Sequence, residues 1–250
     1  MANDMLRPDG NDIEIKPNGD EIDFTSESKI LKWWDNYWYH YKWHTIIGLF
    51  VVILIIFVVS QQVNDPKQDT IITYCGSFGF LSEETEDLRE AFNRIMPEDF
   101  DGNGEKYTEI VRYQFYSEQE LIADREANDG KGTVNLAYNA KQLSDFNSFM
   151  SFGECSIYIL SEDMYEYVKT NKTRLLKSLS DVLDDVPIDA YDEYAVRLKD
   201  TPYYAMEPAL RMLPEDTLVC ITAPYHIGSS SDPETYADSV AMFRAIVTGK

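Results

Sequence analysis

The chain of 250 residues has few of the residues on which enzyme active sites depend. It contains three histidines, and His226 is the one that lies C-terminal to His44. The sequence has neither a phosphate-binding GxxxxGK[ST] motif nor a zinc-protease HExxH motif, and no nucleophile motif accompanies His226. We therefore expect a protein that is not an enzyme, with His226 as an ordinary loop residue.

Cysteine is equally scarce. Cys75, Cys155 and Cys220 are odd in number, and each lies in or beside an apolar run typical of a β-strand. This spacing contains no disulfide framework, and a free cysteine in such a run behaves as a small buried hydrophobe. A single disulfide bridge is also compatible with an exported domain. Non-reducing electrophoresis distinguishes the bridged protein from the protein with three free thiols.

Basic residues are few compared with acidic ones. The formal net charge is −22, and residues 65–250 hold 35 Asp and Glu against 17 Lys and Arg. Such a surface repels phosphate backbones, so nucleic acid is excluded as an expected partner, whereas solubility and cation binding are favoured. The same segment has the length of one well-buried domain of ordinary size.

One long stretch has no charge at all. Residues 46–59 carry no charged or strongly polar side chain, and residues 43–63 as a helix span roughly 30 Å, the thickness of a bilayer core. A cleaved signal peptide and a soluble core helix are the alternatives. Both fit worse, because 44 residues precede the run, no small-x-small site follows it, and it is apolar all round. The run predicts a transmembrane helix.

An aromatic segment, KWWDNYWYHYKWH, leads into this run and contains all four tryptophans of the chain. Tryptophan and tyrosine rings prefer the headgroup zone of a bilayer, with the apolar body inward and the polar tip outward. We therefore expect an interfacial membrane anchor in contact with the lipid bilayer, formed by Trp33, Trp34, Trp38 and Trp43.

Lysines near the two ends of the apolar run predict its orientation. Lys29, Lys32 and Lys42 lie on the N-terminal side, against Lys67 on the other. Positive residues are retained in the cytoplasm. We expect a plasma-membrane protein with a cytoplasmic N-terminus and an extracytoplasmic C-terminal domain.

Composition divides the chain into four segments. Residues 1–28 are a disordered acidic tail, 29–63 the interfacial aromatic segment with the transmembrane helix, 64–68 a linker and 69–250 the extracytoplasmic domain. In the last segment apolar β-like runs alternate with helical periodicity, which predicts an α/β fold: a layered domain with a mixed, largely parallel sheet flanked by helices. The predicted strands begin near residues 69, 107, 155, 193 and 216, and the predicted helices near 82, 117, 138, 162 and 233.

A candidate metal loop lies between the first helix and the second strand of this domain. Its sequence, DFDGNGE, places Asp99, Asp101 and Asn103 at the first ligand positions of a calcium loop and a glycine at the sharp turn, with Glu105 behind them. A standard loop closes with glutamate at the twelfth position, which here is Ile110. Two interpretations stay open: a Ca²⁺ site formed by Asp99, Asp101, Asn103 and Glu105, and a surface turn without metal.

The order of these motifs resembles a known family. Ala91 and Phe92 near the end of the first helix, and the step from Ser151 through Gly153 and Glu154 into the third strand, are similar to the first lobe of extracellular solute-binding proteins, where Asp usually replaces Ser156. The layout of aromatic segment, anchor and domain with a DFDGNGE insert also resembles uncharacterised single-pass membrane proteins of Gram-positive bacteria.

The resemblance implies a function by binding. A complete solute-binding protein has two lobes, whereas the segment after the anchor has the length of one. We expect a non-catalytic, membrane-anchored binding or interaction domain whose partner is a small-molecule or peptide ligand. The alternative is a structural or assembly subunit of a cell-envelope complex, with a membrane protein as its partner.

Overall fold

The computed structural model describes residues 27–64 and 68–249. The chain divides into two compact units, Met1–Asp65 and Pro66–Lys250. Residues 1–26 of the tail predicted to be disordered, and most of the predicted linker, fall outside the described residues, whereas residues 27 and 28 of that tail are helical. Asn64 and Gln68, at the two ends of that linker, belong respectively to a helix and to the chain entering the first strand.

The first unit contains the helix α1, Glu27–Asn64, of 38 residues. Its segment Tyr37–Val58 has a mean hydropathy of 2.1 and is long and apolar enough to cross a membrane. None of that segment is buried within the protein. The helix starts two residues before the predicted segment, so the aromatic residues and the apolar run form one continuous rod.

The second unit alternates strands with helices. The strands are short and rich in β-branched and aromatic residues, which favour the pleated conformation. The helices follow the predicted periodicity closely, with α4 beginning two residues before Tyr138. In chain order the elements are β1 (Thr70–Gly76), α2 (Ser82–Ile95), β2 (Thr108–Gln114), α3 (Glu118–Ala127), α4 (Leu136–Phe152), β3 (Ile157–Leu160), α5 (Glu162–Lys172), α6 (Leu179–Val182), β4 (Ala195–Arg197), α7 (Pro202–Met206), β5 (Leu218–Ile221) and α8 (Pro233–Thr248).

The five strands form one sheet in the order β2-β1-β3-β5-β4. Strand β1 pairs in parallel with both β2 and β3, whereas β5 runs antiparallel to its neighbours β3 and β4. Four strands therefore share one direction. The prediction of an α/β domain with a mixed, largely parallel sheet is confirmed.

Helices cover both faces of the sheet. On one face α2 and α8 pack Phe92 and Phe243 against the strands, and on the other α4 and α5 pack Phe146 and Tyr165. All four side chains are fully buried. Each burial stabilises the fold by about 1.5–3 kcal/mol. The central strands β3 and β5 are buried along their whole length, which explains their continuous apolar sequences.

The three cysteines lie in this core. Cys75, Cys155 and Cys220 are buried and unpaired, and burial raises the pKa of each thiol, that of Cys155 to about 12. The Cys155 thiol donates to the carbonyl oxygen of Ile71 at 3.0 Å. The interpretation of these residues as small buried hydrophobes is confirmed.

Candidate functional site

The topology around β1 defines where a ligand site is expected. The chain passes from β1 to β2 through α2 on one face of the sheet, and from β2 to β3 through α4 on the other. In open α/β sheets, ligands bind outside the carboxyl ends of the strands where the strand order reverses in this way. A ligand site is therefore expected at the carboxyl end of β1.

A cleft of about 190 Å³ lies at the carboxyl end of β1, on the side of β2 rather than of β3. Loop 76–80, which follows β1, forms one side, the end of β2 a second and the first turns of α4 a third. Three aromatic rings meet at the loop, with Phe80 edge-on to both Tyr74 and Phe78 at centroid distances of 4.9 Å. The lining residues are Tyr74, Phe78, Gly79, Phe80, Arg112, Gln114, Tyr138 and Gln142.

Close packing holds the loop in place. A Cβ atom on Gly79 would lie 2.7 Å from Nε2 of Gln114, so a larger residue there would displace the end of the Gln114 side chain. Gln114 donates from that nitrogen to the carbonyl oxygen of Ser77 at 3.2 Å. The backbone N–H of Phe78 donates to the Tyr74 hydroxyl at 3.2 Å, and burial raises the pKa of Tyr74. The rim of the cleft is thus preorganised.

Arg112 supplies the positive charge of the cleft. Its side chain is exposed, and Nη1 donates to the carbonyl oxygen of Phe80 at 3.2 Å and to the Thr85 hydroxyl at 2.6 Å. The guanidinium also stands 5.9 Å from the centre of the Phe80 ring. Within residues 68–249, Arg112 forms no ion pair, and its Nη2 and Nε groups have no hydrogen-bond partner. A fixed guanidinium beside aromatic rings is suited to a carboxylate attached to an apolar group.

The acidic loop 99–105 lies at the opposite end of the strands, before β2. Its side chains accept hydrogen bonds from its own backbone. The two carboxylate oxygens of Asp99 accept from Gly102 N at 2.9 Å and Gly104 N at 2.6 Å, and Asn103 Oδ1 accepts from Glu105 N at 2.8 Å. The bond from Gly104 is the main reason that the pKa of Asp99 is lowered. These hydrogen bonds hold the loop in one conformation and also favour the charged form of Asp99.

Asp69, an acidic residue distant from the loop in the sequence, lies beside it in the structure. Carboxylate oxygens of Asp69, Asp99 and Asp101 lie within 4.8 Å of one another, a spacing that a metal ion can bridge. Asp69 is 6% exposed and accepts from the backbone N–H groups of Phe100 at 2.8 Å and Tyr107 at 2.8 Å. Of the four predicted ligands, Asp99 and Asp101 belong to this group of carboxylates and Glu105 does not.

Sequence spacing did not reveal Asp69, which precedes the loop by thirty residues. The one available signal was an acidic residue immediately before a buried strand. Arg112 was missed as well, although a cation in the middle of a strand is unusual in so acidic a domain. Calcium binding by the loop stays a prediction.

Calcium at about 10 mM is expected to raise the melting temperature of the full chain in detergent. For a dissociation constant of about 1 mM, usual for extracellular calcium modules, the stabilisation is about 1.4 kcal/mol. Asp101→Asn keeps the oxygen that accepts from Asn103 N but removes one charge, so it should abolish most of the shift. Scanning fluorimetry with magnesium as the control ion measures this, and an unchanged melting temperature in calcium would retire the prediction.

The predicted membrane anchor residues occupy the N-terminal half of α1. Trp34, Trp38 and Trp43 are 53%, 44% and 66% exposed, and the rings of Trp34 and Trp38 stack at a centroid distance of 6.3 Å. Trp33 belongs to the same helix, but its side chain falls outside the described residues. The exposed tryptophans precede the uncharged run 46–59 along one helix, the arrangement expected of an interfacial belt.

Comparison of the chain with protein-family models, with curated proteins and with solved structures found no match. The resemblance to solute-binding lobes therefore stays a prediction. His226 lies exposed in the loop between β5 and α8.

Proposed function

We propose that this chain is a single-pass membrane protein that displays its acidic α/β domain outside the cell and binds a small solute or peptide there without catalysis. The ligand carries a carboxylate and an apolar group. It occupies the cleft formed by loop 76–80, Arg112 and Tyr138.

The guanidinium of Arg112 carries this proposal. Carboxylates pair with arginine in a bidentate manner, which needs two adjacent N–H groups. In the cleft Nη1 donates to Phe80 of the loop and to Thr85 of α2, while Nη2 and Nε stay available. The aromatic rings beside it receive the apolar part of the ligand. The cleft volume of about 190 Å³ is below the usual range of small-molecule pockets, which limits the bound part of the ligand to a single amino acid or the last residue of a peptide.

The surrounding charge selects the class of ligand. The domain is strongly acidic, and its field repels simple anions. A zwitterion, with an ammonium group as well as a carboxylate, avoids this repulsion. Free amino acids and short peptides meet the condition.

The membrane location rests on α1 and on the lysine asymmetry. A span of 22 residues is enough to cross a bilayer with some tilt. Lys42 lies within the described aromatic half of the helix, and no Lys or Arg follows it in the sequence before Lys67. This distribution supports a cytoplasmic N-terminus. Protease treatment of intact cells tests the orientation, because protection of the domain would overturn it.

Amino acids and dipeptides are expected to stabilise the full chain in a thermal-shift screen, by several degrees for the best ligand at saturation. Arg112→Lys keeps the charge but loses the paired N–H groups, so the same ligand should bind at least tenfold more weakly, as measured by calorimetry. The C-terminal amide of that ligand, which has no carboxylate, should fail in the wild type.

Arg125→Lys is the matched control for this variant. Arg125 lies in α3, outside the cleft, and its replacement should leave the affinity unchanged. Equal binding by Arg112→Lys and the wild type, or equal binding of the acid and its amide, would reject the cleft as the site. No shift with any amino acid or dipeptide would reject the ligand class.

One observation favours a second function, that of an assembly subunit in a membrane complex. The aromatic half of α1 exposes large rings around its circumference, Tyr39 at 77% and Trp43 at 66%. Such a surface also packs against other transmembrane helices. Purification in mild detergent distinguishes the functions, because a stoichiometric membrane partner would favour the assembly role.

A further inference from the structure

Strand β2 leaves one edge of the sheet without a neighbouring strand. The sheet order β2-β1-β3-β5-β4 places β2 at the end of the described sheet, with β1 on one side of it. Helices α2 and α4 pack beside it on the two faces. An unpaired strand edge presents a row of backbone N–H and C=O groups that can pair with a further extended chain.

Alternation along β2 shows which backbone groups lie on the free edge. The N–H of Phe115 donates to the carbonyl oxygen of Gly76 in β1 at 2.9 Å, so Phe115 and every second residue before it face β1. The residues between them face outward, and they are Ile110, Arg112 and Gln114. Within residues 68–249, no backbone or side-chain group pairs with the outward N–H and C=O groups of these three residues.

Side chains close this edge at the two ends of the strand. Oδ1 of Asn93 on α2 accepts from Thr108 N at 2.7 Å. Asn139 on α4 pairs with both backbone groups of Tyr116, since its Oδ1 accepts from N at 2.8 Å and its Nδ2 donates to O at 2.9 Å. In the described part of the chain, the edge therefore stays open between these two asparagine contacts.

The open edge adjoins the cleft of the proposed function. The cleft is lined by Arg112, which bonds to Thr85 of α2 on one face, and by Tyr138 and Gln142 of α4 on the other. Because α2 and α4 lie on opposite faces, the cleft passes from one face to the other beside the outermost strand. Arg112 and Gln114 contribute side chains to the cleft and backbone groups to the edge. A chain that lies along the edge thus leads into the cleft.

We propose that the open edge of β2 binds the C-terminal segment of a peptide as a sixth strand, with the terminal carboxylate on Arg112 and the last side chain in the aromatic cleft. Main-chain hydrogen bonds provide affinity in this mode of recognition. The inference rests on the proposed function and narrows its ligand from amino acids and peptides to peptides.

The position of the cleft sets the direction and the length of the peptide. The open edge extends from the cleft toward the amino end of β2, so a peptide with its carboxylate in the cleft runs parallel to β2. From Ile110 to Gln114 the strand spans roughly 13 Å at 3.3 Å per residue, which accommodates about five peptide residues.

Charge favours a peptide over a second copy of this chain. Two copies paired through β2 would bring together two acidic chains, each with a formal net charge of −22. An antiparallel pair centred on Arg112 would also place two guanidinium groups opposite each other, which is destabilising. The terminal carboxylate of a peptide instead pairs with an arginine that has no ion pair within residues 68–249.

The test uses the full chain in detergent and a random library of peptides of about five residues with free termini. We expect the tightest binder, measured by calorimetry, to bind at least tenfold more tightly than its last residue as a free amino acid. Extension of this peptide beyond the open edge, to about eight residues, should change the affinity less than threefold. The absence of any binder, or equal affinity of the peptide and the free amino acid, would overturn the proposal.

Methylation of single backbone nitrogens of the peptide assigns the binding to a strand edge. A strand directs successive N–H groups to opposite sides, so methylation should weaken binding at least tenfold at alternate residues and less than threefold at the residues between them. A ligand held by side chains alone does not produce this two-residue period. Equal effects at neighbouring residues would therefore contradict the edge as the binding surface.

Failure of this inference is distinguishable from failure of the proposed function. Free amino acids that bind in an Arg112-dependent manner, with peptides no tighter, would reject the edge and keep the cleft. Arg112→Lys should weaken the peptide at least tenfold and Arg125→Lys should not, and equal binding by both variants would reject the cleft and the placement of the peptide together. Light scattering measures the oligomeric state, and a dimer that prevents peptide binding would assign the edge to a second copy of the chain and overturn the proposal.

Discussion

Replacing Ile53 and Ile56 by arginine is expected to remove the protein from the membrane fraction. Both side chains lie in the apolar segment of α1 and are exposed at its surface. An arginine near the centre of a spanning helix opposes insertion by about 2.5–3.5 kcal/mol, so two oppose it by about 5–7 kcal/mol. Carbonate extraction followed by immunoblotting measures the fraction that stays embedded.

A matched control separates loss of insertion from the addition of charge. Ile188 and Ile227 are exposed isoleucines of the α/β domain, 107% and 67% accessible. Their replacement by arginine adds the same two charges and should leave the protein in the membrane fraction. If the variant at Ile53 and Ile56 stays as resistant to carbonate as this control, α1 is not a membrane span.

The second large effect is expected from Gly153→Ala at the end of α4. This glycine has φ 68° and ψ 32°, a left-handed conformation that opposes a Cβ atom by roughly 1–2 kcal/mol. The added atom would also lie 2.6 Å from Cβ of Tyr225 and 2.7 Å from the carbonyl oxygen of Ile227. Overpacking of this kind adds about 1–3 kcal/mol. We expect a total loss of about 2–5 kcal/mol in the free energy of unfolding, measured by urea denaturation of the full chain.

Gly249→Ala is the control for this variant. Gly249 ends α8 in the same left-handed conformation, with φ 74° and ψ 18°, but a Cβ atom there would meet only Pro202 at 3.2 Å. Gly249→Ala should therefore lose only the roughly 1–2 kcal/mol of unfolding free energy that the left-handed conformation costs a residue with a Cβ atom. Equal losses in the two variants would show that the loop 225–228 accommodates the added Cβ atom without an overpacking cost.

The elements of the domain were predictable because their signals are local. The run IITYC is β-branched and ends in glycine, which marks β1, and SEETEDLREAFNRI repeats apolar residues at helical spacing until Pro97 ends it. Ser117 and Glu120 form the reciprocal N-cap expected of a helix start, with Glu120 N donating to the Ser117 hydroxyl at 3.2 Å. None of these features requires knowledge of distant residues.

The order and direction of the strands could not be predicted from such local signals. Strand β5 is as apolar as β3, and nothing in LVCI states that it runs antiparallel between β3 and β4. That arrangement depends on which surfaces of α7, α8 and the sheet bury each other. The same holds for Arg112, whose role follows from its position beside the loop 76–80 rather than from its neighbours in the chain.

By itself the sequence determined an apolar helix long enough to span a bilayer, an acidic α/β domain and a loop of metal-ligand type at residues 99–105. Each follows from composition or from spacing within a few residues. Only the tertiary structure decided that Asp69 joins Asp99 and Asp101 and that Arg112 meets an aromatic cleft. The physical reason is that a binding site is made by residues distant in sequence, and the packing of the sheet and its helices brings them together.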